Sequence, residues 1–252
     1  MDTMKSLDET NKVVIVGHID HGKSTLIGRM IYDLDQVRDG KYEELKATSE
    51  KRGMPFEWAF LMDALQIERN QGITIDTTQI FFKTKKRNYV FIDAPGHREF
   101  LKNMITGASS ADIPILIVDV EEGIQEQTRK HGYILKLLGL KRVIALINKM
   151  DKVNYREEKF KEVKLNLRKY LELINIKSEA IIPISAKEGD NIKKLSSNMK
   201  WYNECSVLDS LDNYNTFKDL SKNSLRLPIQ DIYKFNDKRV LVGKIETGTL
   251  RK

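Results

Sequence analysis

The sequence predicts an α/β fold with a mostly parallel six-stranded sheet that carries one antiparallel hairpin strand, followed by the opening strands of a separate, incomplete β domain. Three observations predict it. Short β-branched runs alternate with longer amphipathic segments, the pattern of βαβ units. Several runs, Ile113 to Asp119 above all, are apolar almost throughout, as strands covered on both faces are. One link, Lys83 to Asn88, is too short for the crossover helix of a parallel pair, so the strands it joins form an antiparallel hairpin.

In chain order, a first strand is expected at Val13 to Val16, then a loop and an amphipathic helix carrying Leu26, Ile27, Met30 and Ile31. Asp33 to Gln71 is a long charged connection with one helix near Phe56 to Glu68, and connections of this length are often functional. Strands at Thr78 to Phe82 and Tyr89 to Asp93 flank a turn whose Lys83, Lys85, Lys86 and Arg87 read as a solvated tip. Further strands are expected at Ile113 to Asp119, Arg142 to Asn148 and Ala180 to Ser185. Before the last, Phe160, Val163, Leu167, Tyr170, Leu171 and Ile174 fall on one helical stripe, with Lys161, Glu162, Lys164 and Lys169 opposite. Asp212 to Ser224 is polar, and beyond it Leu227 to Tyr233 and Arg239 to Glu246 alternate like the opening strands of a separate β domain. The expected division is a domain over 11–212, a linker over 213–224 and an incomplete β domain over 225–252.

Composition removes several classes. The 252 residues are 40% hydrophobic with 43 basic against 36 acidic side chains, a net charge of +7, which fits an ordinary core and excludes collagen, coiled coil and wholesale disorder. Cys205 stands alone and can build neither an internal disulfide nor a Cys-rich zinc site, and Met1 to Asn11 does not resemble a leader. A reducing cytoplasm is the default location. The longest apolar runs are strand-sized, so no membrane span is indicated. The basic excess is diffuse and reads as solubility.

The chemistry is carried by five motifs. Gly17-His18-Ile19-Asp20-His21-Gly22-Lys23-Ser24 fits G-x-x-x-x-G-K-[ST] directly after a strand and at the opening of a helix, the context of a phosphate-binding loop. Its backbone N–H groups converge on phosphate oxygens. Lys23 would reach the β and γ phosphates of a nucleotide, Ser24 would ligate Mg²⁺, and Thr25 belongs to the same set. His18 and His21 belong to the loop, but lack further Cys or His at ligand spacing and so are not read as a metal site. Asp20 reads equally as a contact to a cation or its shell and as a simple loop hydrogen bond.

Asp93-Ala94-Pro95-Gly96-His97 ends the third strand. Asp93 is placed for a second Mg²⁺ contact, the Gly96 N–H for the γ-phosphate, and His97 for orienting the attacking water. Thr74, in Gly72-Ile73-Thr74-Ile75, would complete the Mg²⁺ shell when a γ-phosphate draws its segment in. Asn148-Lys149-Met150-Asp151 and Ser185-Ala186-Lys187 follow the last two core strands. The Asp151 carboxylate can accept from the N1–H and 2-amino group of guanine, which adenine lacks, and sites of this kind discriminate by about 10⁴. Asn148 would hold N7 and brace the phosphate loop, the Lys149 stem would cover the base, and the Ala186 N–H would meet O6.

In this order the five motifs resemble the translational-factor class of P-loop GTPases. GHIDHGKST, ERNQGITID, DAPGHREFLKNMITGAS, NKMD and SAKEGDNI are similar to the branch containing elongation factor 1-alpha and the large, GTP-binding subunit of sulfate adenylyltransferase. The likeness is dense over 11–212 and continues through Leu225 to Leu250 as the opening of the family's β-barrel domain. Asp119 to Ile124 runs straight into Gln125 to Arg129, where elongation factor 1-alpha proteins usually insert a stretch. That junction, with His131-Gly132-Tyr133 and Asn154-Tyr155, is more similar to the sulfate-activating subunit.

The preferred implication is therefore a Mg²⁺-dependent, GTP-hydrolysing subunit that drives adenylyl sulfate formation from ATP and sulfate, partnered by a small catalytic subunit. The alternative is an elongation factor 1-alpha-like GTPase delivering aminoacyl-tRNA to the ribosome, under which alone nucleic acid is a partner. A third is a chain that only binds GTP or GDP. Family members carry two barrels, so the resemblance implies a fragment or a shortened relative. His131, Trp201 and Cys205 read as packing.

Overall fold

The β-branched runs form eight strands among the described residues, which in the computed structural model are 10–70, 79–93, 111–216, 222–235, 238–243 and 245–250. Six build one sheet: β1 (Thr10–Gly17), β2 (Gln79–Lys83), β3 (Asn88–Asp93), β4 (Ile113–Asp119), β5 (Arg142–Asn148) and β6 (Lys177–Pro183). The order is β2-β3-β1-β4-β5-β6. β1 pairs in parallel with β3 and β4, β4 with β5, and β5 with β6. β2 and β3 are antiparallel, Phe81 opposite Val90, as the short link demands. Thr84 ties that link: its N–H donates to the Arg87 carbonyl at 3.0 Å, and its Oγ1 accepts from the Lys86 and Arg87 N–H groups at 3.1 Å.

The helices are α1 (Lys23–Asp33), α2 (Lys41–Lys51), α3 (Trp58–Asn70), α4 (Glu126–Leu137), α5 (Glu157–Leu173) and α6 (Val207–Asn213). β4 is buried at every position and β5 at all but its first, so the centre of the sheet is covered on both faces. Burying each such aliphatic side chain contributes about 1.5–3 kcal/mol. The stripe read from the sequence is the buried face of α5, with Phe160, Val163, Leu167, Tyr170 and Leu171 turned inward. Ser206 and Asp209 form a reciprocal capping box that starts α6. Asp212 of α6 then accepts from Thr84 Oγ1 at 2.7 Å and from the Tyr89 hydroxyl at 2.8 Å, holding the hairpin edge.

Several element bounds move by a few residues and one helix is added. β6 begins at Lys177 and ends at Pro183, earlier than Ala180 to Ser185, because pairing with β5 opens at Arg142 opposite Lys177 and Ser185 leaves the sheet for a loop. α2 was not expected, since its sequence is mostly polar. Its Tyr42 stacks on Trp58 with centroids 5.6 Å apart, so tertiary packing supplies what periodicity does not show.

The chain divides after Tyr214 into two compact units. In the second, β7 (Ile229–Phe235) and β8 (Lys238–Gly243) form an antiparallel ribbon, Ile232 opposite Leu241, the strands expected to open a barrel. Arg226 and Thr247 bridge its base. No helix of the described residues is long and apolar enough to cross a membrane.

Candidate functional site

β1 is central and has a parallel neighbour on each side, so its carboxyl end opens where strand order reverses, the usual ligand position in open α/β sheets. The loop Gly17 to Gly22 leaves there and enters α1. Gly22 is required on two counts. Its φ is +91°, and a Cβ would stand 2.3 Å from Asn148 Nδ2, so the loop clears the neighbouring motif only with glycine. Asp20 is also left-handed, at φ 61°, a costly conformation away from glycine that persists where the surroundings enforce it.

Lys23 folds over its own loop, its Nζ donating to the Gly17 carbonyl at 3.0 Å and the His18 carbonyl at 2.7 Å. Its positive charge thus sits where the loop turns, ahead of the α1 N-terminus that begins with Lys23, Ser24 and Thr25. His21 points the other way. Its ring is fully buried, with Nδ1 3.4 Å from the Ile117 carbonyl and Nε2 3.1 Å from Glu122 Oε2; a neutral ring donates to one at a time. Burial pushes its pKa down. The His21 side chain is therefore structural, and only its backbone is available to a ligand. His18 meets it edge-on with centroids 5.2 Å apart.

Asn148 joins the two ends of the site. Its Nδ2 donates to the His21 carbonyl at 2.8 Å, while its Oδ1 accepts from the Ala186 N–H at 2.9 Å. Both bonds are buried, so one amide locks the phosphate loop to the loop after β6. Ser185 Oγ donates to Asp151 Oδ1 at 2.6 Å and accepts from the Glu188 N–H at 3.2 Å, aiming the carboxylate. Lys149 is left-handed at φ 66° and its Nζ pairs with Asp119 Oδ2 at 2.7 Å. Burial pushes the Asp119 carboxyl up, but hydrogen bonds from Lys149 and the Glu121 N–H outweigh it and hold it below the usual carboxylate range. Asp119 was not expected from the sequence, although its place at the carboxyl end of β4 was a signal.

Asp20, Gly22, Thr25, Asn148, Lys149, Asp151, Ala186 and Lys187 line one cavity of about 340 Å³, with Pro55, Phe56, Glu57 and Trp58 forming a further wall. That volume is in the roughly 300–1,000 Å³ range of small-molecule sites. Asp93 ends β3 in register with Ile15 of β1, next to the phosphate loop; its side chain lies outside the description. Thr74, Gly96 and His97 lie outside the described residues.

His131 has more than a packing role. It is buried in α4, and its Nδ1 accepts the Gly17 N–H at 3.2 Å, fixing the first residue of the loop. Burial, then the nearby Lys23 and His18, lower its pKa to about 4. Between pH 6.5 and 4 the unfolded chain binds a proton that the folded chain refuses, so stability falls as pH falls through that window, and His21 adds in the same direction. Urea unfolding is expected to show a loss on the order of 2 kcal/mol from pH 7.5 to pH 5. His131→Asn should make that loss smaller; an unchanged pH dependence would contradict the assignment.

A model of the elongation factor Tu GTP binding domain matches residues 8–215. The chain is 44% identical over 240 residues to elongation factor 1-alpha of Pyrococcus furiosus and 45% identical over 240 residues to that of Thermococcus kodakarensis, in each case with 95% of this chain and 56% of the relative covered. Among solved structures, sup35 complexed with GDP superposes with a TM-score of 0.61 at 26% identity, covering 100% of this chain and 56% of that one. The GMPPNP complex of sup35 gives 0.60 at 27%, covering 100% and 55%. The chain thus spans little more than half the length of the relatives it matches.

Proposed function

Because the chain belongs to the elongation factor Tu GTP-binding domain family, the translation-factor class of P-loop GTPases, we propose that it binds and hydrolyses GTP as the nucleotide-binding part of an elongation factor 1-alpha-like translation factor. The observation that carries this reading is Asn148, bonded at once to the phosphate loop and the base loop beside Asp151. A pocket so braced has the Asp151 carboxylate together with Gly22 of the phosphate loop in its lining, a pairing that suits a guanine nucleotide.

In this reading Asp151 accepts from N1–H and the 2-amino group, the Ala186 N–H donates to O6, and Lys149 covers the base. The phosphate loop and Lys23 hold the phosphates. His97 orients the water, whose oxygen attacks the γ-phosphorus as the bond from that phosphorus to the bridging oxygen breaks; GDP keeps the bridging oxygen, and the water's protons stay with the inorganic phosphate. Ser24, Thr74 and Asp93 are the residues that would hold a Mg²⁺ ion, which would supply positive charge to offset that of the phosphates.

The relatives favour the elongation-factor branch and give the sulfate-activating subunit, with its small catalytic partner, no support. The likeness to the latter consists of the compact junction after β4 with His131-Gly132-Tyr133 and Asn154-Tyr155. In the junction the Gly123 N–H closes on the Asp119 carbonyl at 2.8 Å, a local turn that carries less information than 240 aligned residues. Aminoacyl-tRNA and the ribosome are accordingly the proposed partners and the cytoplasm the proposed location. GTP turnover with ribosomes and aminoacyl-tRNA is expected to exceed that of the chain alone. Stimulation only by ATP and sulfate with a copurifying subunit would overturn the assignment.

A further inference from the structure

The carbonyl oxygen of Lys187, at the end of the base loop, is held by two donors from the facing wall. The Trp58 indole Nε1–H donates to it at 2.9 Å and the Arg29 guanidinium at 3.0 Å. Trp58 opens α3 and Arg29 lies in α1, so neither donor belongs to the strands and loops that carry the base motifs. Both donors are themselves fixed. The guanidinium carbon sits 4.9 Å from the Trp58 ring centroid, and Arg29 Nε pairs with Asp33 Oδ1 at 2.9 Å. Trp58 is 9% exposed and packs against Tyr32 and Phe56, with centroids at 4.8 and 5.2 Å.

The backbone makes room for this arrangement. Gly189 has φ +86°, and a Cβ there would stand 2.1 Å from Arg29 Nη2, so a side chain would push the guanidinium out. A Cβ at Gly28 would stand 2.1 Å from the Trp58 carbonyl oxygen, so α1 and α3 meet backbone to backbone. A charged donor and an indole N–H converging on one carbonyl make a stronger anchor than a single neutral bond.

We propose that Trp58 and Arg29 are positioning residues that clamp the base loop through the Lys187 carbonyl, so that retention of guanine nucleotide depends on α3 as well as on Asn148 and Asp151. This rests on the reading of the cavity as a guanine site. The clamp's contact is the Lys187 carbonyl of the base loop, whereas the link to the phosphate loop runs through Asn148.

Trp58→Phe keeps a ring in the aromatic cluster and removes the N–H; Arg29→Lys keeps the charge and removes the planar fork. Each is expected to speed dissociation of fluorescent N-methylanthraniloyl-GDP about 3- to 10-fold, the loss of one ordinary hydrogen bond. Inorganic pyrophosphate, which engages only the phosphate loop, should compete as well against the variants as against the parent, a readout that general loosening would move. Dissociation at the parental rate, or a parallel loss for pyrophosphate, overturns the clamp. If the parent chain fails to bind the labelled GDP at all, the guanine reading fails first, before any substitution, and the clamp falls with it.

Discussion

Asp151→Asn is expected to weaken GDP binding by about 10²-fold or more and to abolish the preference for GDP over ADP. The Asp151 carboxylate lines the cavity beside Asn148 and Ala186, and each hydrogen bond to a charged group is worth about 1.5–3 kcal/mol. An asparagine turns an NH₂ toward the guanine 2-amino group, leaving two donors facing each other. It suits xanthine, whose C2 oxygen accepts, so xanthosine diphosphate should bind the variant better than GDP does. The loop should survive, because asparagine keeps the Oδ1 that accepts from Ser185 Oγ at 2.6 Å. Equilibrium titrations with GDP, ADP and xanthosine diphosphate check this, and an unchanged GDP-to-ADP ratio would remove Asp151 from base recognition.

His97→Ala is expected to leave GTP affinity within a few-fold of the parent while single-turnover hydrolysis falls by about 10² or more, the scale of a positioned acid-base group. His97 comes four residues after Asp93, which ends β3 in register with Ile15, two residues before the phosphate loop opens at Gly17. Rapid-quench measurement on preloaded GTP separates binding from chemistry. Equal rates in variant and parent would contradict the role.

These two residues illustrate what was legible in the sequence. Asp151 and Asn148 were readable because a short motif after a buried parallel strand fixes both side-chain chemistry and position at the carboxyl end of the sheet. The antiparallel β2–β3 pair was readable because a link of six residues excludes a crossover. α2 was not, since its polar sequence packs through ring contacts of Tyr42 with Tyr32 and Trp58, both outside the helix and invisible to its periodicity. His131 and Asp119 were missed for a related reason. A lone histidine in a helix and an aspartate at a strand end carry no motif, and their partners, Gly17 and Lys149, are set by tertiary packing. The branch of the family was less legible, because the junction Asp119 to Ile124, His131-Gly132-Tyr133 and Asn154-Tyr155 are short stretches beside the 240 residues that align with elongation factor 1-alpha.

The central claim, that one pocket joins a phosphate loop to a guanine-specific base loop through Asn148, is tested most directly by calorimetric titration of the purified chain with GDP and ADP in Mg²⁺. The expected result is one site per chain for GDP, with ADP weaker by about 10⁴. Comparable affinities for the two nucleotides, or no binding of GDP, would contradict it.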